Sequence, residues 1–302
     1  MTETDQKLEP SIYAIIVAYY PDTDRLKRLC SSLRGQGIHV LVIDNSEPGE
    51  LNKNFRHEEC TIIAAGRNLG IAAAQNTGIE HALARGADIL LFFDQDSRID
   101  DGLPGKLCDP LLNNPLSITV PVSIDRLSGD EYPSRVLNRF GWPSNVFCRG
   151  KTTLTPVDIS IASGTATTPE VFRKAGLFDE SLFIDFVDVE WFLRCKRRGV
   201  QTFVVPEAVM DHHIGERTLD LGLIKITQHS PMRTYYKVRN SFLLLRRNIP
   251  VLFCIRQILP ALLHNALLLC FVKNKKEYFL HYLQGICDGI LGNSGEYPGF
   301  AP

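Results

Sequence analysis

The sequence has almost no overall charge: 33 Lys and Arg stand against 34 Asp and Glu, a formal net charge of −1. A chain-wide attraction to nucleic acid is therefore excluded, and any electrostatic role must come from local clustering. The eight cysteines include no Cys-x-x-Cys pair and no two closer than sixteen residues, which excludes a zinc cluster or redox dithiol of the usual spacing. The opening MTETDQKLEP is polar and acidic rather than basic then apolar. No secretory signal is expected, and the thiols are expected to stay reduced in a cytosol. There is no internal repeat, no low-complexity tract and no apolar run of the roughly 20 residues that cross a bilayer.

What is present suffices for a large core. Apolar residues make up 44% and charged residues 22% of 302, enough for two average domains or one α/β unit. Ile12 to Tyr19 is a continuous β-branched and aromatic run, suited to a strand buried on both faces, and Pro21 ends it. Asp22 to Arg34 carries Leu26, Leu29, Cys30 and Leu33 on one helical stripe. Val40 to Ile43 reads as a strand, Thr61 to Ala65 as another, Gly70 to Arg85 as an Ala-rich helix, and Asp88 to Phe93 as the next strand. Strand and helix in alternation predict right-handed βαβ units in a mostly parallel sheet, with ligands at the strands' carboxyl ends. Residues 102 to 156 are irregular, with Ile118 to Val122 as their clear strand. Order returns over Val157 to Ala162, in helices opening near Pro169 and Asp188, and in a strand over Thr202 to Val205.

Four groups of residues could carry chemistry. Asp94-Gln95-Asp96 puts two carboxylates at a strand's end, an arrangement that suits a hard divalent cation or, failing that, ordinary helix capping. Asp44 ends an earlier strand, where an acidic residue can bind a nucleoside hydroxyl or form an Asx turn, and Asn68-Leu69-Gly70 opens a helix. Asp185, Asp188 and Glu190 lie among aromatic and aliphatic residues, as a general base or as helix caps. His212 in Asp211-His212-His213 could complete a metal's shell.

In order along the chain, these segments resemble an inverting family-2 glycosyltransferase with the GT-A nucleotide-diphospho-sugar transferase fold. The matching pieces are Tyr19-Tyr20-Pro21, Val42 to Ser46, Arg67 to Gly70 with Asn76 and Gly78, and Phe93 to Ser97. They continue through Ser163-Gly164, Gly176 to Glu180, the Asp188 cluster, His212 with Gly215, and Tyr236 with Arg239-Asn240. Within the family, Phe92 to Ser97, Phe183 to Trp191 and His212 to Glu216 are similar to bacterial rhamnosyltransferases that use dTDP-L-rhamnose. The usual Glu-Asp wording departs here, with Val187 at the Glu position. The base thus falls to Asp188, with Asp185 as its rival and Glu190 beside them.

The resemblance implies an α/β fold with a mostly parallel central sheet, helices on both faces and a C-terminal helical segment. It divides the chain into a glycosyltransferase domain over 1–250 and a tail over 251–302. The domain's nucleotide-sugar half covers about 11–100 and its acceptor and catalytic half about 101–250. It implies donor binding by Tyr19, Asp44, Asn68, Gly70, Asn76, Asp94 and Arg239, and acceptor binding by Ser163, Gly164 and Trp191. Mg²⁺ or Mn²⁺ would be held by Asp94, Asp96 and His212. The implied partners are the nucleotide sugar, a saccharide or polyprenyl-diphosphate-linked glycan acceptor of O-antigen type, and no nucleic acid.

From Arg233 to Lys276 there are nine Lys or Arg and no Asp or Glu, leaving 24 basic against 34 acidic residues elsewhere. The apolar stretch Ile258 to Val272 spans fifteen residues broken by Pro260, His264 and Asn265. Such a segment lies on an anionic membrane surface, giving a cytoplasmic protein peripheral to the inner face of the membrane, or packs against the core or a second subunit. Two other readings stay open. A non-catalytic nucleotide-sugar-binding subunit would be expected to lose the base position, which is filled here. A haloacid-dehalogenase-type phosphatase carries its Asp-x-Asp after the first core strand, not near residue 94.

Overall fold

The computed structural model describes residues 9–46, 51, 60–126, 128–212, 217–220 and 225–299, with the backbone alone at 212, 217–220 and 225–228. Strand β1 (Ile12–Ala18) forms where the β-branched run forbids helical crowding. Its alternate residues enter two cores: Tyr13 and Ile15 on one face, Ala14, Ile16 and Ala18 on the other. Helix α1 (Thr23–Gly35) starts at Asp22, whose carboxylate accepts from the Asp24 and Arg25 amides, and buries Leu26, Leu29, Cys30 and Leu33 against the second face. Each such leucine stabilises the fold by about 1.5–3 kcal/mol.

Strands β2 (His39–Asp44) and β3 (Thr61–Ala64) extend the sheet in parallel, and α2 (Gly70–Leu83) covers the first face. A Cβ on Gly78 would stand 2.5 Å from Ile15 Cγ2, so the helix reaches β1 because this position is glycine. Strand β4 (Ile89–Asp94) pairs in parallel with β1 and ends on its carboxylate. Helix α3 (Leu103–Asn113) lies inside the region read as irregular; Pro104 sits in its first turn, where proline is tolerated, and Pro110 in its body.

Strand β5 (Ser117–Asp125) runs longer than the expected Ile118 to Val122 and carries the short β6 (Glu131–Tyr132). A hairpin of β7 (Ser134–Leu137) and β8 (Pro143–Val146) stands apart as its own two-stranded sheet. Order returns in β9 (Thr155–Val157) and β10 (Thr165–Thr167), not over Val157 to Ala162 as one piece. Helices α4 (Pro169–Ala175) and α5 (Val187–Arg197) follow, then β11 (Gln201–His212). β11 is twelve residues long, far beyond Val205, because its pairing with β5 resumes at Val209 after an irregularity around Pro206.

The main sheet runs β3-β2-β1-β4-β10-β5-β11-β9. β10 is antiparallel to both neighbours and β9 to β11, while the other pairs are parallel. The backbone of β12 (Arg217–Asp220) and β13 (Lys225–Gln228) forms a second hairpin. Three helices end the chain: α6 (Pro231–Leu243), α7 (Val251–Phe271) and α8 (Lys275–Leu291).

Helix α7 has 21 residues, more than the fifteen read from sequence, and by length and composition alone it is apolar enough to cross a membrane. Helix α8 lies against α6 so closely that a Cβ on Gly285 would stand 2.8 Å from the Tyr235 carbonyl oxygen and one on Gly289 3.0 Å from that of Arg239. The Tyr235 hydroxyl also donates to buried Asp288 at 2.8 Å. Helices α6 and α8 therefore pack directly on each other.

Candidate active site

Strand β4 delivers Asp94 to the carboxyl edge of the sheet, and the turn after it is fixed from three sides. The Asp94 amide donates to Ser163 Oγ (3.1 Å), Ser163 Oγ meets Ser97 Oγ (2.8 Å), and the Ser97 amide returns to the Asp94 carbonyl (3.0 Å). Gln95 clips this turn to β1: its Oε1 accepts from the Tyr19 amide (2.6 Å) and its Nε2 donates to the Tyr19 carbonyl (3.3 Å). Asp94 is open to solvent on one side and crowded by protein on the others. That enclosure, and then the Asp96 charge, raise its pKa to about 6 against the opposing pull of Arg233.

The second carboxylate group rides on a strained loop. Phe183, Asp185 and Phe186 all have positive φ, between 63° and 65°. Each such non-glycine residue costs on the order of 1 kcal/mol or more and persists only where the surroundings impose it. The imposing groups are buried on α6. Asn240 Nδ2 donates to the carbonyls of Leu182 (2.8 Å), Ile184 (2.7 Å) and Asp185 (3.0 Å), and Arg239 Nη2 to that of Leu182 (3.1 Å). From the opposite side the Ile71 amide donates to the Phe183 carbonyl (2.7 Å), and a Cβ on Gly70 would strike that oxygen at 2.6 Å.

This loop delivers Asp188 to the first turn of α5. Its burial, then the nearby charges of Asp185 and Asp94, raise its pKa to about 6, opposed by the Val189 amide that donates to its Oδ1 at 2.8 Å. Asp185 accepts an ion pair from Arg233 of α6 (Nη2–Oδ1 3.3 Å). Asp94, Asp96, Asp185, Asp188 and Arg233 thus act on one another electrostatically across one cleft. A cavity of about 470 Å³ beside Asp96 is lined by Arg25, Arg28, Arg98 and Asp211. A roomier cavity of about 610 Å³ lies around Asp88 and Pro115, at the amino end of β4, one strand length from these carboxylates; strands of such sheets bind ligands at the other end.

Several expected site residues serve the scaffold instead. Glu190 is buried in a two-pronged ion pair with Arg194 (2.8 and 2.9 Å), which itself donates to the Ala175 and Leu177 carbonyls, so no proton can reach it from a substrate. Trp191 is enclosed, stacked on Phe172 with its Nε1 donating to the Gly176 carbonyl (3.1 Å), and cannot touch an acceptor. Asn76 clamps the Phe178 backbone (3.0 Å both ways) and Glu180 rather than a nucleotide. Arg239 is fully buried and spends its guanidinium on the Gly295 and Leu182 carbonyls.

Ser163 and Gly164 are buried beneath the Asp94 turn, which Ser163 Oγ holds, and a Cβ on Gly164 would meet Pro121 at 2.5 Å. Asn68 caps the α2 start, accepting from the Gly70 amide (2.9 Å) and from Asn45 Nδ2 (3.0 Å), while Gly70 is committed to the Phe183 contact. Asp44 is buried at the end of β2, accepting from the Ser46 amide (3.1 Å), whereas Tyr19 is half exposed at the cleft rim. The His212 side chain lies outside the described residues.

Sequence reading missed Arg233, Gln95 and Asn45. Arg233 had no motif to mark it. Gln95 and Asn45 stood inside motifs but behind their acidic neighbours.

Among the described residues, no group of three or more His, Cys, Asp or Glu side chains is gathered to cage a metal ion. The oxygen pair Asp94 and Asp96 nevertheless fits a hard divalent ion: the crowding of like charge that raises Asp94 is what a cation relieves. An open two-carboxylate site leaves positions for phosphate oxygens, as Mg²⁺ prefers.

Comparison with known proteins agrees with this geometry. The family model described as glycosyl transferase family 2 matches residues 14–171. The dTDP-rhamnosyl transferase RfbF of Shigella flexneri is 39% identical over 290 residues, 95% of this chain and 98% of that protein. The low-salt glycan biosynthesis hexosyltransferase Agl10 of Haloferax volcanii is 24% identical over 250 residues, 76% and 74% of the two chains. Among solved structures, S. aureus TarS superposes with a TM-score of 0.58 at 13% identity over 93% of this chain. GalNAc-T7 with UDP, GalNAc and Mn²⁺ superposes with 0.55 at 17% over 69%. This chain spans just under half of each of those two, 49% and 44%, and the likeness is one of fold. With a buried sheet that ends in acidic residues and a family match over half its length, the chain belongs to glycosyltransferase family 2 and is a glycosyltransferase.

Proposed function

We propose that the chain is an inverting rhamnosyltransferase that moves L-rhamnose from dTDP-L-rhamnose to a saccharide acceptor. The acceptor is a polyprenyl-diphosphate-linked glycan of O-antigen type, met at the cytoplasmic side of the membrane. The observation that carries this reading is 39% identity, over nearly the whole of both chains, to a protein named for dTDP-rhamnosyl transfer. The convergence of Asp94 and Asp188 on one cleft supports it, since a donor's diphosphate and an acceptor's hydroxyl must meet there.

Asp188 is the base. A pKa near 6 leaves it ionised at neutral pH yet close enough to working pH to accept a proton well. Asp185 is the weaker candidate because Arg233 occupies its oxygens. Asp188 takes the proton from the acceptor hydroxyl while that oxygen bonds to the anomeric carbon. The bond from that carbon to the diphosphate oxygen breaks, its electron pair leaves with dTDP, and the single displacement inverts the centre.

Arg233, placed between Asp185 and Asp94, puts a fixed positive charge where the leaving group gains negative charge. A divalent cation held by Asp94 and Asp96, with His212 as the further ligand, would supply Lewis-acid stabilisation of the departing diphosphate. Asp44 and Tyr19, at the ends of β2 and β1, are the groups left to meet the nucleoside.

Calorimetric titration with dTDP-L-rhamnose, UDP-glucose and GDP-mannose, each with Mg²⁺ and again with EDTA, tests this assignment. Metal-dependent binding of the dTDP sugar alone is expected. Preference for a UDP or GDP sugar would keep the enzyme class and discard the rhamnosyl donor, and binding of none would return the non-catalytic reading.

A further inference from the structure

Helix α7 divides into two faces. Phe253, Cys254, Ile258, Ala261, Asn265 and Leu268 are buried at three- and four-residue spacing and face the protein. Opposite them, Leu252, Ile255, Leu259, Leu263, Leu267 and Phe271 are all exposed, Leu263 by 70%. The exposed row covers about 30 Å of helix, at 1.5 Å per residue. Phe279, Leu280, Leu283, Ile290 and Leu291 of α8 are exposed as well. An apolar surface this long exceeds what a monomer ordinarily leaves to water.

The tip of the β7–β8 hairpin joins the start of this face. Gly141 abuts Pro250, and Asn138 Oδ1 holds the tip by accepting from the Phe140 (2.9 Å) and Trp142 (3.0 Å) amides. The tip presents Phe140 (60% exposed) and Trp142 (45%), each with an arginine over its ring: Arg139 Cζ at 4.6 Å and Arg256 Cζ at 4.3 Å from the ring centroids. At the far end of α7, Lys273, Lys275 and Lys276 are exposed. Glu277 is the one exposed acidic side chain on α7, α8 and the turn between them.

We infer that the exposed face of α7, with the Phe140–Trp142 tip and the lysine turn at its two ends, is a docking surface for an anionic lipid bilayer, which α7 meets lying in the plane of the interface. Three observations together select this occupant. Cations bracket an apolar face at both ends, aromatic rings capable of residing at headgroup depth stand at one end, and the α7 face itself bears no carboxylate, Glu277 alone standing among the three lysines. A subunit interface would call for no such basic bracket, and like charges meeting across a two-fold axis would oppose it. Crossing the bilayer would require tearing the buried stripe, the polar Asn265 among it, off the protein.

The surface lies one layer from the chemistry. Phe253 and Cys254 of α7 share a core with Leu193 of α5, and Phe186 beside the base packs against it, so a bilayer under α7 is held at a fixed distance from Asp188. The inference does not depend on which nucleotide sugar is the donor.

The test is co-sedimentation of the full chain with phosphatidylcholine vesicles, with and without added phosphatidylglycerol, as salt rises from about 0.05 to about 0.5 M. Binding to the anionic vesicles at low salt is expected, with release at least tenfold as salt rises. Lys273→Gln, Lys275→Gln and Lys276→Gln combined should weaken binding by about a hundredfold. Leu259→Gln with Leu263→Gln should also weaken it, and both variants should keep donor binding and the circular dichroism of the parent, since all five positions are exposed.

No binding to anionic vesicles at low salt overturns the inference. So does a leucine variant that turns a dimer into a monomer in sedimentation equilibrium while vesicle binding stays the same. Resistance of membrane-bound protein to alkaline carbonate extraction would overturn the in-plane placement.

Discussion

The two acidic segments of the cleft reach it by opposite means. Asp94 sits at the end of a parallel strand with neighbours on both sides, so the sheet itself sets its position and Gln95 and Ser163 only trim the turn. Asp188 follows a loop with three residues at positive φ, held by side chains from α6 and by the backbone of α2. A carboxylate on a regular element is positioned by local sequence, whereas one on a strained loop is positioned by groups distant in the chain. The second kind is the more fragile and the more precisely adjustable.

Substitutions ordered by expected effect sharpen that contrast. Asp188→Asn should lower kcat by about a thousandfold, within the range general bases supply, while calorimetry finds donor affinity unchanged. If Asp185→Asn does this and Asp188→Asn does not, the base is Asp185. Asp96→Ala should weaken metal-dependent donor binding by about a hundredfold, and equal affinity with Mg²⁺ and EDTA in the parent enzyme would remove the cation from that turn.

Asn240→Ala strands the Ile184 and Asp185 carbonyls, while Arg239 still serves that of Leu182, a loss of about 2–6 kcal/mol in denaturant unfolding at roughly 1–3 kcal/mol per group. Its kcat should fall with donor KM little changed. A parental kcat would mean that the loop holds its shape without the pin.

The pH profile follows from the raised carboxylates. Asp188 must be ionised to accept a proton, and its pKa is raised to about 6, so kcat/KM should fall as pH drops below about 6, about tenfold per unit. An acid limb centred near the ordinary carboxylate value would contradict the enclosure of Asp188. The smallest effect belongs to the strand-held side: Gln95→Ala should raise donor KM by only about two- to fivefold, because the β1–β4 ladder remains. A loss matching that of Asn240→Ala would erase the distinction between the two means of support.

The same contrast decides what could be read from the sequence. The parallel strands and the acidic residues at their ends were legible, because apolar runs and their termination are local signals. Helix α3 was hidden by Pro104 and Pro110, the length of β11 by Pro206, and the first turns of α7 by Arg256 among its apolar residues.

Within the motifs, residues that hold the site and residues that act in it look alike. Glu190, Trp191, Asn76 and Arg239 are polar or aromatic residues that proved to bind protein backbone or, for Glu190, the Arg194 side chain, which only burial and partners reveal. Arg233 carried no pattern at all, since its meaning comes from Asp185, 48 positions away.

Helix α6 carries Arg233 at its start and Asn240 near its end, and its other side is pressed against the glycines of α8. A methyl group at Gly285 or Gly289 has nowhere to go without pushing α6, and α6 carries the loop that aims Asp188. A screen for inactive variants should therefore return changes in α8 that fold, bind the nucleotide sugar and turn over poorly. Mapped by sequence alone, those positions would look like the edge of the protein.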